Sequence, residues 1–161
     1  ILKKHTKKWC VFYLIYMINN ILNMDIRSIY DINSYRVTNL TKFDKDKVGS
    51  GLYGETGYDE IQKMINHFKG YFNNETVFYD LGSGLGKIVL HIGLECNPKK
   101  SCGIEYSKER HEKAIEIMKT NNIQNENISF INKSILECDI SDATFIYIDN
   151  TDFSDNVNSE I

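Results

Sequence analysis

The sequence contains a single proline, Pro98, so little in it interrupts regular structure. Its four cysteines, Cys10, Cys96, Cys102 and Cys138, form no C-x-x-C pair, and no histidine stands at zinc-ligand spacing. That excludes a disulfide scaffold and a zinc ribbon and leaves reduced structural thiols in an intracellular setting as the expectation. An excess of positive charge is also missing: 19 Lys and Arg stand against 22 Asp and Glu, a net charge of −3, which gives no global attraction to nucleic acid. A long hydrophobic run is missing too. The apolar stretch from Trp9 to Ile18, behind Lys3, Lys4, Lys7 and Lys8, superficially resembles a signal sequence, but no small-residue cleavage site follows. It falls short of the roughly 20 apolar residues a membrane span requires, so a buried helix is expected and a membrane-proximal origin stays open. The first residue is Ile1 rather than Met, which leads us to expect a chain that starts inside a longer reading frame. What is present is the composition of one folded domain, with 161 residues of which 42% are hydrophobic.

The most informative stretch runs Val77-Phe78-Tyr79-Asp80-Leu81-Gly82-Ser83-Gly84-Leu85-Gly86-Lys87. An apolar run ends in an acid and three alternating glycines, and a helical pattern follows. A strand stopping at Gly82 can reverse tightly only where positive φ is allowed, and bare positions at Gly84 and Gly86 let a ligand approach the backbone. A dinucleotide fold would place its third glycine one position later, where Lys87 stands. The next apolar run, Cys102-Gly103-Ile104, ends in Glu105, an acid at the strand edge where open α/β sheets bind ligands. A carboxylate there accepts charge-assisted hydrogen bonds from both hydroxyls of a ribose. The plainer alternative is a glycine-rich turn followed by an ordinary exposed acid. Strand, loop, helix, strand and acid in this order favour a nucleoside site.

The remaining pattern extends this frame. Trp9 to about Tyr35 reads as helical with a break near Asn23 to Asp25, a small N-terminal helical part occupying residues 1–40. Thr41 to Gly57 is polar and glycine-containing and reads as a loop. Helices are predicted over Tyr58 to Phe68, Lys87 to Cys96 and Lys108 to Thr120, and strands over Val77 to Leu81, Cys102 to Glu105, Ile128 to Ile131 and Phe145 to Ile148. Alternation of this kind implies an α/β fold with a doubly wound, mostly parallel sheet over residues 41–161.

The G-x-G-x-G form behind Asp80 resembles motif I of the Rossmann-like class I S-adenosylmethionine-dependent methyltransferases. With the upstream Gly51-Leu52-Tyr53-Gly54-Glu55-Thr56-Gly57 it resembles, more narrowly, the disruptor-of-telomeric-silencing family of non-SET histone lysine methyltransferases. The resemblance covers roughly Gly51 to Phe153. It implies S-adenosylmethionine as cofactor and a protein lysine, histone or nucleosome, as acceptor, with no metal. Tyr53, Glu55 and Thr56 would close over the methionine end. Asp80, Gly82, Ser83, Gly84, Gly86 and Lys87 would form the cradle, and Glu105 would hold the ribose. Ser134 stands where the family places an adenine-binding acid, with Asp139 as a possible substitute. Asp149-Asn150 stands in place of an Asn-Asn pair, with Phe153 beyond it, so Tyr53, Asn150 and Phe153 would wall the acceptor channel while Asp149 steers a cationic amine. Such a sheet has seven strands, so the C-terminal strands are expected to be missing here, with the fourth strand an open edge. Asp149-Asn150-Thr151-Asp152 lacks the Pro-Pro-aromatic motif of DNA amino-methyltransferases. An RNA or small-molecule methyltransferase, or a non-catalytic cofactor-binding remnant, stays open, as does contact with nucleic acid through Lys3 to Lys8.

Overall fold

The computed structural model describes residues 25–32 and 54–161. The readings made for Trp9 to Ile18, for the Lys3 to Lys8 cluster, for Cys10, for most of the 41–57 loop and for Tyr53 lie outside the described residues.

Helix α1 (Ile26–Tyr30) is capped by Asp25, whose side chain accepts from the Arg27 N–H; the residues on the other side of the expected break lie outside the described ones. Helix α2 (Tyr58–His67) buries Ile61 and Ile65, one turn apart, and carries Asp59 and Glu60 in its first turn, where acids suit the helix dipole. Then come β1 (Val77–Leu81), α3 (Lys87–Glu95), β2 (Lys100–Glu105), α4 (Lys108–Thr120), β3 (Ile128–Asn132), β4 (Phe145–Ile148) and α5 (Asp155–Glu160). Short 3₁₀ turns lie at Lys69–Tyr71 and Ile135–Glu137. The predicted helices and strands match to within one or two residues; β2 begins at Lys100 because Lys100 pairs with Val77. Helix α5 is additional, capped by Ser154 and anchored by the buried Val157.

All pairings are parallel, in the order β3-β2-β1-β4. β1 is central and buried along its whole length, which is why it reads as an unbroken apolar run rather than an alternating one. One face of the sheet carries Phe78, packed with Ile61, Ile65 and Ile92 of α2 and α3. Val89 and Leu90, on another side of α3, meet Ile29, Ile117 and Ile128 in a second cluster. The opposite face, Val77, Tyr79, Leu81, Cys102 and Ile104, is covered by Ile135, Cys138, Ile140 and Ala143 from the β3-to-β4 connection. That connection has to cross the sheet because β3 and β4 lie at opposite edges, so the winding reverses between β1 and β4. The reversal opens a crevice at their carboxyl ends, where ligands of open α/β sheets bind.

Buried polar groups tie the helices to one another. His91 is fully buried; its Nδ1 accepts from the Tyr30 hydroxyl at 2.8 Å and its Nε2 donates to Glu95 at 3.0 Å, with the ring stacked on Tyr58. Burial lowers its pKa against the raising effect of Glu95, so it serves as a satisfied neutral link between α1 and α3. Cys96, Cys102 and Cys138 are free thiols with raised pKa values, each through burial first.

The glycines of the loop after β1 are held by close packing. Gly86, at φ +75°, would place a Cβ 2.4 Å from the Phe130 ring, and Gly103 would place one 2.5 Å from Ser83 Oγ. Gly86→Ala therefore combines backbone strain with overpacking, and a loss of about 2 to 4 kcal/mol is expected. Urea denaturation should show a lower midpoint at unchanged slope; an unaltered midpoint would contradict the packing described.

Candidate functional site

The loop Gly82 to Gly86 turns by left-handed steps at each of its three glycines, with φ of 88°, 54° and 75°. It is pinned to β2. The N–H groups of Gly82 and Ser83 both donate to the Ile104 carbonyl, at 2.9 and 3.0 Å, and the Gly84 N–H donates to Glu105 Oε2 at 2.8 Å. The other carboxylate oxygen, Oε1, accepts from the Ser107 N–H at 2.7 Å. Glu105 thus clamps the glycine loop to the start of α4. Each of its oxygens retains a lone pair for a further donor. Its pKa is raised by burial, against the lowering effects of the Ser107 N–H, Arg110 and the Gly84 N–H.

Asp80 is 3% exposed at the end of β1. Its pKa is pushed from 3.8 to about 8, by burial first and then by the charges of Glu105 and Asp149. Among the described residues its carboxyl has no hydrogen-bond donor, and it faces the cleft between β1 and β4. That cleft is lined by Gly54, Glu55, Thr56, Asp80, Gly82, Ser83, Gly84, Lys87, Ile88, Tyr147 and Asp149. A cation settling beside this buried acid would lower its pKa again.

Eight of the expected residues meet at this cleft: Glu55, Thr56, Asp80, Gly82, Ser83, Gly84, Lys87 and Asp149. Lys87 is expected as a cofactor contact, but its ammonium is taken up by protein acceptors: Glu55 Oε2 at 2.7 Å, the Ile32 carbonyl at 3.0 Å and the Tyr30 carbonyl at 3.4 Å. Gly86 lies behind the loop against Phe130, and Glu105 stands under it. Phe153 roofs the loop, its ring edge 2.9 Å from where a Gly82 Cβ would lie. Asp149 and Asn150 are exposed: Asp149 accepts from Thr151 Oγ1 at 2.6 Å, and the Asn150 amide donates to Asn158 of α5 at 2.9 Å. Of the two residues expected beside an adenine, Ser134 caps the 3₁₀ turn through the Leu136 N–H, and Asp139 is exposed and turned to the Ser141 N–H. Neither reaches the β1–β4 cleft.

Two residues that sequence reasoning passed over complete the site. Tyr147 pairs in register with Asp80, and its hydroxyl is 2.8 Å from Thr56 Oγ1, joining β4 to the Gly54–Thr56 segment. The period of two along β4 was the available signal, since it places Tyr147 on the same face as Phe145. Asn132, at the end of β3, donates from its amide to the carbonyls of Glu105 and Tyr106 at 2.8 and 3.0 Å, fixing the turn that carries Glu105.

Known proteins resemble this chain. The profile of the family described as "Histone methylation protein DOT1" matches residues 30–161. The "Histone-lysine N-methyltransferase, H3 lysine-79 specific" of Drosophila melanogaster is 36% identical over 75 residues, 43% of this chain and 4% of that protein. A "Protein-lysine N-methyltransferase" of Saccharolobus islandicus (strain REY15A) is 31% identical over 94 residues, 58% of this chain and 56% of that protein. The chain thus spans little more than half of the archaeal relative and a small part of the fly one. Among solved structures, an RNA methyltransferase from Salinibacter ruber in complex with S-adenosyl-L-homocysteine superposes with a TM-score of 0.53 at 26% identity, over 59% of this chain and 60% of that one.

The raised pKa of Asp80 carries a stability prediction. Between 3.8 and about 8 the folded state holds a proton that the unfolded state has released, so this group makes the protein less stable as pH rises through that window. Asp80→Asn removes the effect. Its stability relative to wild type should grow by at least about 1.4 kcal/mol, the worth of one pKa unit, between pH 5 and 8, and level off above. Denaturant titrations at several pH values check this; a difference that does not change with pH would contradict it.

Proposed function

The chain belongs to the DOT1 histone methylation protein family, and from that premise we propose that it is an S-adenosylmethionine-dependent methyltransferase acting on a lysine amine of a histone-type protein. The observation that carries this reading is the acid-lined cleft at the reversal between β1 and β4, with Asp80 buried at its floor and, among the described residues, without a hydrogen-bond donor. Bound S-adenosylmethionine supplies a methyl group activated by its sulfonium. The chain's residues do the rest. In this reading Asp80 receives the α-ammonium of the methionine end, and Glu105, with a lone pair left on each oxygen, receives the ribose hydroxyls. Gly82 and Gly84 present a surface without side chains between the two.

Acceptor chemistry agrees with the same charges. A lysine amine has an unperturbed pKa near 10.4 and must be neutral to attack, so it needs alignment and loss of its proton rather than a nucleophilic residue. Asp149 lies at the mouth of the cleft and would steer a cation inward; Phe153 and Tyr147 supply apolar wall. The RNA reading draws support from the Salinibacter likeness. Asp149, exposed at the mouth, argues against it, because a polyanion would meet like charge there. A histone-type acceptor would place the activity with chromatin.

Isothermal titration should show binding of S-adenosylhomocysteine that NAD does not reproduce. At pH 7 a cation settling beside Asp80 should release a proton, so the measured enthalpy should vary with the ionisation enthalpy of the buffer. Glu105→Ala should weaken binding by roughly 1.5 to 3 kcal/mol, the worth of hydrogen bonds to a charged group. Equal or tighter NAD binding would sink the cofactor assignment. For the acceptor, methyl-labelled S-adenosylmethionine should label lysines of core histones or nucleosomes; label on RNA alone would favour the second reading.

A further inference from the structure

Lys87 is 4% exposed, and its ammonium has three N–H donors and no acceptor. Three acceptors surround it, from two separate segments of chain. Ile32 and Tyr30 offer backbone carbonyls at 3.0 and 3.4 Å from the end of α1. Glu55 offers a carboxylate oxygen at 2.7 Å, with its side chain 26% exposed. The donors are therefore matched by protein groups, leaving none for a ligand. The geometry has a further consequence. Ile32 and Glu55 stand at the two ends of the 33–54 connection, and one nitrogen holds both. Its stem rises from the first residue of α3, one position past Gly86, so the glycine loop and this ion pair share a rigid base. Thr56, next to Glu55, is held separately by Tyr147 of β4.

We propose that Lys87 is a positioning residue: its ammonium fastens the Gly54–Thr56 wall of the cleft against α1 and α3, so that the wall is in place before the cofactor's methionine end arrives. The inference rests on the cofactor reading above for its effect on affinity, but its structural half stands apart from it. A wall fixed in advance spares the ligand the work of ordering it. If the wall is ordered only a small fraction of the time without Lys87, apparent affinity falls to that fraction of its full value. The ribose and adenine side, held by Glu105 and Asn132, does not use this ion pair, so an adenosine fragment should be indifferent to it.

The test uses the whole 161-residue chain, with Lys87→Met, Glu55→Gln and the double variant. S-adenosylhomocysteine affinity should fall about tenfold or more in each single variant, and the double variant should be no weaker than the weaker single one, because both remove the same link. Adenosine, titrated by amide chemical shifts, should bind all four proteins alike. Amide exchange at Glu55 and Thr56 should be faster in the variants, and saturating S-adenosylhomocysteine should restore its slowness. Wild-type affinity in Lys87→Met would overturn the proposal. So would equal weakening of S-adenosylhomocysteine and adenosine in the milder Glu55→Gln, which would mean general damage to the fold. If the wild-type chain binds neither ligand, the cofactor reading fails. Exchange at Glu55 and Thr56 then decides alone: unchanged rates in both single variants would overturn the positioning role, and faster rates would uphold it.

Discussion

The site depends on one clamp: the Glu105 carboxylate accepts the Gly84 N–H on one oxygen and the Ser107 N–H on the other. A loop whose backbone turns three times through positive φ has no ladder of its own to hold it. Its shape has to come from its neighbours. The Ile104 carbonyl takes the first two amides, Glu105 the next, and the Phe130 ring and Gly103 leave no room for the loop to move inward. The clamp also explains why a buried acid at this position is tolerated, since its charge is met by two backbone donors as well as by Arg110.

Topology then supplies the charge. The β3-to-β4 connection must cross the sheet, and the reversal beside β1 brings Asp80, Tyr147 and Asp149 to one edge. Among the described residues Asp80 has no donor while Glu105 has two, so the two acids are unlike in kind: Glu105 is satisfied and structural, and Asp80 is held largely protonated near neutral pH by burial and by its neighbours. A cleft built this way favours a ligand with a cationic end and a hydroxylated one. Its walls come from segments far apart in sequence, Gly54–Thr56 and Asp149–Phe153, each held by hydrogen bonds to the body of the fold.

The sheet was legible because each strand is an apolar run closed by a polar signal: Asp80 and Gly82 for β1, Glu105 for β2, and for α4 the Ser107 cap with a clear apolar stripe at Ala114 and Ile117. Eight of the residues expected at the site line one cleft because motif residues adjacent in sequence stay adjacent on a tight loop. What escaped the sequence was contact across elements. Tyr147 reads as one more aromatic on a strand until the register sets it beside Asp80. Lys87 reads as part of the glycine motif until Glu55, 32 residues away, is found against it. The α5 helix escaped because its single buried anchor, Val157, gives no periodicity over six residues.

The central claim, that the clamped glycine loop and the acid at the floor of the β1–β4 cleft together form a site for a nucleoside joined to an amino acid, is tested most directly by mapping S-adenosylhomocysteine onto the chain by backbone amide shifts. The account predicts that the largest changes fall on Thr56, Gly82, Gly84 and Ser107, converging on one saturation curve. Changes concentrated instead on the outer face of α4, at Lys108, Glu112 and Lys119, with the glycine amides still, would contradict it.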